Sequence, residues 1–254
     1  MVRANYSDNP WFPPGLEEDR LYDEKHSGAH YRHVWEGDYM QVFEGAYFAD
    51  DLAMADKDGR IGEVRADPNL SLRAFWDIGG AGARADATAI WVVQFVAQEI
   101  RVLDYIELRG QKVGDVLAEL RHRGYEKAVC HLPHDGSNAN NVTGKTYEDH
   151  IREAGFSTTV TRNAGAGAAR RRIEAVRRLF PKMWFHLVPT EAGRLALGYY
   201  HPKRDETRNI DLGPEHDWSS HAADAFGLMA ISYEEPSKTS SFNRAIEYPK
   251  YGVV

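Results

Sequence analysis

From residue 71 onward the apolar positions fall into short dense runs separated by turn residues. Ser71 to Ile78, Thr88 to Phe95 and Ile100 to Leu108 are each rich in bulky and β-branched side chains. Runs of that length and composition predict strands, and three in succession predict an antiparallel meander. The period then changes. Val113, Val116, Leu117 and Leu120 recur at helical spacing as far as Gly124, and Ala128-Val129-Cys130-His131-Leu132 reads as a short buried strand ending at Pro133. A helix over about 146–154, a strand at 158–161, a helix over about 168–180 and a strand at 184–187 follow. Ser219 or Ser220 is placed to cap an alanine-rich apolar helix that runs to Ser232. Three strands in a row, then alternating helices and strands, predict an α/β fold with a mixed central sheet flanked by helices.

The flanks read differently. Residues 1–70 are rich in Pro, Tyr, Asp and Glu and are broken at Asn9-Pro10, Pro13-Pro14-Gly15 and Asp56-Lys57-Asp58-Gly59, which predicts an N-terminal arm laid over something else. Residues 71–236 are the expected folded domain, and the polar stretch 237–254 a loosely ordered tail. A chain of 254 residues that is 43% apolar and 27% charged has the material for one large core and is too balanced to be disordered. Its longest apolar run, Ala87 to Ala97, is interrupted by Thr88 and Gln94, well short of the roughly 20 apolar residues that cross a bilayer. The first residues lack the apolar stretch of a secretory signal, and the single cysteine, Cys130, excludes a disulfide framework or a cysteine zinc site. A reducing cytoplasm is the expected location. The net charge of −7 argues against coating nucleic acid through bulk charge, yet Arg162, Arg170, Arg171, Arg172, Arg177 and Arg178 crowd together and predict a local positive face.

Chemistry is to be sought where acids interrupt elements that ought to be buried. Asp77 stands inside Phe75-Trp76-Asp77-Ile78-Gly79-Gly80, where an unpaired charge is costly. Asp135 follows the fourth strand in His131-Leu132-Pro133-His134-Asp135-Gly136, at the carboxyl end where open α/β sheets hold ligands. Asp224 breaks the small apolar face of the last helix in His221-Ala222-Ala223-Asp224-Ala225-Phe226. Any one of them alone reads as a cap, a turn or an ion pair. One divalent-cation site explains all three, because Mg²⁺ and Mn²⁺ take carboxylate oxygens and keep water positions open for substrate phosphates.

These residues resemble the nuclease domain of the large terminase subunits of tailed bacteriophages, which has a ribonuclease H-like fold. The resemblance rests on Trp76-Asp77-Ile78-Gly79 followed by Asp86-Ala87-Thr88-Ala89-Ile90-Trp91, on Leu132-Pro133-His134-Asp135-Gly136 followed by Thr143-Gly144-Lys145-Thr146, and on Asp217-Trp218-Ser219-Ser220-His221-Ala222-Ala223-Asp224-Ala225. The arm is similar too, through Asn9-Pro10-Trp11-Phe12-Pro13, Trp35-Glu36-Gly37 and Gly45-Ala46-Tyr47. The resemblance implies an endonuclease that cuts concatemeric viral DNA during packaging, in the cytoplasm of the infected bacterial host. It implies that Asp77, Asp135 and Asp224 hold two Mg²⁺ or Mn²⁺ ions, with Asp86 a further acid near them. Double-stranded DNA, the portal protein, the terminase small subunit and a packaging ATPase domain are the partners it implies, with no membrane. The chain departs from the whole-protein pattern in lacking a nucleotide-binding loop: Gly144-Lys145-Thr146 ends like one, but Ala139 stands where glycine is needed, so it reads as a helix start.

Other residues have two readings. His134 and His221 flank proposed ligands and either orient water, phosphate or a carboxylate, or are plain turn and cap histidines. Arg170, Arg171 and Arg172, opened by Gly165-Ala166-Gly167, either meet DNA phosphates or form a solvated face paired with Glu174; Lys203 and Arg204, in an exposed excursion, are further DNA-contact candidates. His26, His30 and His33 share a helical face but favour a surface over zinc. Two other functions stay open: a Holliday-junction resolvase-like nuclease, and a non-catalytic DNA or portal docking module.

Overall fold

The computed structural model describes residues 6, 9, 11–26, 35, 45–80, 82, 85–138, 144–163, 165–205 and 210–233. The tail 237–254, the 141–143 segment, and His30 and His33 lie outside them. The elements in chain order are α1 (Pro14–His26), α2 (Ala49–Lys57), β1 (Ile61–Gly62), β2 (Arg73–Asp77), β3 (Ala87–Val96), β4 (Glu99–Arg109), α3 (Val113–His122), β5 (Val129–Leu132), α4 (Tyr147–Glu153), β6 (Thr158–Val160), α5 (Ala168–Leu179), β7 (Met183–His186), α6 (Glu191–Tyr199), β8 (Pro202–Asp205), β9 (Ile210–Pro214) and α7 (Ser220–Ile231).

Seven strands form one mixed sheet in the order β1-β7-β4-β3-β2-β5-β6. The meander β2-β3-β4 is antiparallel, and β5, β6, β7 and β1 add in parallel at its two sides. The reason β3 reads as a continuous apolar run is now visible: it is the middle strand, with helices over both faces, so alternation gives way to burial on either side. Strand periodicity sorts the rest. Ala74, Trp76, Ile90, Val92 and Ile106 point to one face, where Val116, Leu117 and Leu120 of α3 and Ile151 of α4 cover them. Phe75, Ala89, Trp91 and Val93 point to the other, under α2, α5, α6 and α7. Asp77 is two residues beyond Phe75 and therefore falls on this second face, the one against which α7 packs.

Part of the segment expected to be an arm belongs to the core. Phe48, Leu52 and Ala55 of the 46–57 stretch are buried beneath the sheet, and β1 pairs with β7 as the edge strand. Buried Arg60 fastens this edge by donating from Nη1 to the carbonyls of Phe180 at 2.8 Å and Met183 at 3.1 Å. Gln94 does the same for the entry to β2: its amide nitrogen donates to the carbonyls of Asp67 and Leu70, and its oxygen accepts the Asp67 N–H. The 191–199 helix and the small β8-β9 hairpin were not anticipated by the periodicity.

His131 offers a test of core electrostatics. On β5 it stacks on Phe75, ring centroids 4.5 Å apart, and burial together with the nearby Arg73 charge brings its imidazole down from 6.5 to about 4. As pH falls from 6.5 towards 4, the unfolded chain takes up a proton at this position that the folded one refuses, so stability declines across that window. His131→Phe removes the proton uptake and keeps the stack. Thermal melts between about pH 7 and about pH 4.5 are expected to show a smaller loss for the variant than for the wild type; equal losses would show that His131 does not contribute.

Candidate active site

β2 ends on Asp77, opposite the small Ala89 of β3. Beyond it the backbone of Gly79 runs so close to that of Asp86 and Ala87 that a Cβ has no room, and its N–H donates to Thr88 Oγ1 at 3.1 Å. This close approach needs glycine and fixes where the strand lets go of its neighbour. Asp135 lies next to β5 in a 3-10 turn, His134–Ser137, packed down through buried Gly136 against Leu132. Asp224 is carried by α7. Ser219 is its N-cap residue, as the sequence predicts, but its side chain makes no capping bond to the helix: its N–H, at 2.9 Å, and its hydroxyl both donate to Asp217 Oδ1, two residues earlier.

The three elements bring the three acids to one cleft of about 250 Å³, lined by Trp76, Asp77, Ile78, Pro133, His134, Asp135, Arg172, Asp224 and Leu228. Each carboxylate has one oxygen held. His221 Nδ1 lies 3.1 Å from Asp77 Oδ2, His134 Nε2 lies 3.0 Å from Asp135 Oδ1 with Asn138 Nδ2 at 3.2 Å, and Arg172 Nη1 donates to Asp224 Oδ1 at 2.8 Å. The other oxygen of each has no hydrogen-bond partner among the described residues. Charge is crowded here. Loss of hydration and then the Asp77 charge push the Asp224 carboxyl upward against the pull of Arg172. His221 is shifted upward as well, chiefly by its hydrogen bond to Asp77, with burial opposing.

Among the described residues no group of three His, Cys, Asp or Glu side chains is already gathered into a metal cage. The donor set nevertheless suits a hard divalent ion. Three spare carboxylate oxygens on one cleft are the ligand type that Mg²⁺ and Mn²⁺ take, with room left for water. Such a cluster of like charges is what a cation relieves.

The remaining candidates are spread out. Asp86 is exposed in the loop before β3 and does not line the cleft, although its charge acts on His221. Arg170 is exposed and pairs with Glu174 at 3.5 Å, and Arg171 Nη1 donates to the Ala166 carbonyl. Lys203, on β8, lies 3.4 Å from Glu215, while the side chain of Arg204 is outside the described part. Lys145 pairs with Glu153 beside the capping box that Thr146 and Asp149 form, so Gly144-Lys145-Thr146 is a helix start. Two placements differ from the sequence analysis, which gives Tyr147 no role and reads Arg172 as a DNA-contact or solvated residue. Tyr147 donates its hydroxyl to the Gly79 carbonyl at 3.2 Å, tying α4 to the end of β2. Arg172 enters the cleft rather than the solvent, and helix phase could have shown it, since Arg172, Val176 and Leu179 repeat at i, i+4 and i+7 on the buried side.

No protein-family model and no curated protein matches the chain. Solved structures do. The large terminase of a thermophilic bacteriophage, in complex with ATP-gamma-S, is similar at 14% identity, over 90% of this chain and 55% of that one, with a TM-score of 0.52. The P22 large terminase nuclease domain is similar at 15% identity, over 67% of this chain and 86% of that one, with a TM-score of 0.51. The fold is that of a phage large-terminase nuclease domain. At these identities the likeness is one of fold, and the fold agrees with the mixed central sheet flanked by helices expected from the residues and with the terminase-nuclease resemblance. The large terminase nuclease from thermophilic phage G20c with bound magnesium aligns at 14% identity over 68% of this chain and 92% of that one, with a TM-score of 0.47. This chain spans about half the length of the terminase bound to ATP-gamma-S. Among the described residues of this terminase-nuclease fold, no helix is long and apolar enough to cross a membrane.

Proposed function

We propose that the chain is the nuclease part of a phage DNA-packaging terminase, a metal-dependent endonuclease that cuts concatemeric double-stranded DNA. One observation carries this reading: in a terminase-nuclease fold, acids 58 and 89 residues apart along the chain (77 to 135, 135 to 224) meet at a single cleft. Asp77, Asp135 and Asp224 would hold two Mg²⁺ or Mn²⁺ ions, with Asp86 near enough to add its charge. When bound, such ions supply Lewis-acid activation of the attacking water and of the scissile phosphodiester.

The chain's own residues prepare that chemistry. His221 fixes the orientation of Asp77, and His134 with Asn138 fixes that of Asp135, so that ordering them costs little when substrate arrives. Gly79 and Gly136 keep the neighbouring backbone free of side chains. Exposed Arg170, Arg171 and Lys203, with Arg204, are proposed to meet the DNA backbone without reading sequence. The portal protein, the small subunit and an ATPase domain are the proposed partners, and the cytoplasm of the infected host the proposed place of action.

Supercoiled plasmid is expected to be nicked and linearised in Mg²⁺ or Mn²⁺ and left intact in EDTA. Linear duplex should be cut as readily as a four-way junction; strict preference for the junction would turn the assignment to a resolvase. A folded protein that binds DNA and cuts nothing with either ion would favour a docking module.

A further inference from the structure

Arg172 is the one strong cation among the described residues lining the cleft. Its position is built in from both helices. On α5 it falls on the buried side with Val176 and Leu179. On α7 it is met by Gly227, where a Cβ would come within 2.7 Å of Arg172 Cβ and 3.0 Å of Cδ, so glycine is what lets the arginine stem lie there. The guanidinium donates from Nη1 to Asp224 Oδ1 at 2.8 Å, while its buried Nε has no hydrogen-bond partner among the described residues. Leaving a buried guanidinium N–H unpaired is costly, so this placement serves the carboxylate rather than satisfying the arginine.

We infer that Arg172 is a resident cation that sets the metal affinity of the cleft, occupying Asp224 in the ion-free protein and competing with a divalent ion for it. The inference rests on the reading of the cleft as a metal site. A positive charge held against a ligand opposes a second positive charge at the same ligand, and the opposition is strong where water is partly excluded. The arginine also offsets the repulsion between Asp77 and Asp224, so the ion-free fold depends on it. Arg172 is thus a positioning residue for the proposed reaction, holding Asp224 ready and keeping weakly bound ions out.

Direct titration of the intact protein with Mn²⁺, followed by calorimetry and by the manganese spin-resonance signal, tests this without any cleavage assay. Arg172→Gln is expected to bind Mn²⁺ at least about tenfold more tightly than the wild type, where tenfold corresponds to about 1.4 kcal/mol. Arg172→Lys, which keeps the charge, should stay within about threefold of the wild type. In EDTA the Gln variant should melt at lower temperature, and Mn²⁺ should restore it. If Arg172→Gln does not fold, Arg172→Met keeps the apolar stem against Gly227 and gives the same reading. Unchanged or weaker Mn²⁺ binding in the charge-removing variants, beside a wild type that binds, overturns the inference alone. No Mn²⁺ binding by wild type or variants overturns both it and the metal reading of the cleft.

Discussion

Asp77→Asn is expected to lower plasmid cleavage in Mg²⁺ or Mn²⁺ by about a thousandfold or more, as removal of a central group from a cooperating site does. The substitution is nearly isosteric, and the asparagine oxygen still accepts from His221 Nδ1 where Asp77 Oδ2 now does. What disappears is the negative charge and one hard oxygen. Stability should change by less than about 1 kcal/mol, because the charge that raises Asp224 is the one removed. Gel quantification of nicked and linear plasmid, beside a thermal melt, separates the two effects. A folded Asp77→Asn protein that cuts at the wild-type rate would remove Asp77 from the mechanism, and Asp135→Asn, on its exposed turn, gives an independent reading of the same site.

Trp91→Ala is expected to cost about 3–5 kcal/mol, a large part of the stability of an ordinary domain. The indole is fully buried on β3, packs on Tyr105 and Phe226 with ring centroids 4.6 and 4.8 Å away, and donates from Nε1 to the Ala222 carbonyl at 2.8 Å. Gly193 of α6 lies so tightly on Trp91 and Tyr105 that no Cβ fits between them. The alanine variant therefore leaves a void under two helices and frees the backbone of α7 two residues before Asp224. Trp91→Phe keeps most of the packing and loses the hydrogen bond, for an expected cost of about 1–3 kcal/mol. Urea unfolding midpoints measure both, and a Trp91→Ala loss below that of Trp91→Phe would show that packing is not what Trp91 supplies.

The central meander, α3, α4, α5 and α7 are legible because apolar positions recur in them at strand or helix spacing. α6 is not, since its buried side is made of Gly193, Ala196, Leu197 and Gly198, and small residues give little contrast against a loop. The N-cap residue Phe48 and Leu52 and Ala55 of α2 do fall at helical spacing, but Asp50, Asp51, Asp56 and Lys57 mask it, and β1 gains its place only from β7 more than a hundred residues later. Nonlocal pairing leaves no trace in a short window. At the site, Asp77, Asp135 and Asp224 stood out because each interrupts or ends an apolar element. Arg172 did not, being one of three consecutive arginines that differ only in the direction helix phase gives them.

The pairing of α7 with the sheet has a consequence for how this molecule would fail. Asp224 reaches the cleft only while α7 is docked, through Trp91 to Ala222 and through Arg172, whereas the meander that carries Asp77 is closed by its own ladder. An opening confined to α7 would strip the proposed site of one carboxylate before the sheet gives way. Damaged or half-folded copies would then be inert towards the DNA around them, a safeguard that comes from distributing one site over separate tertiary elements.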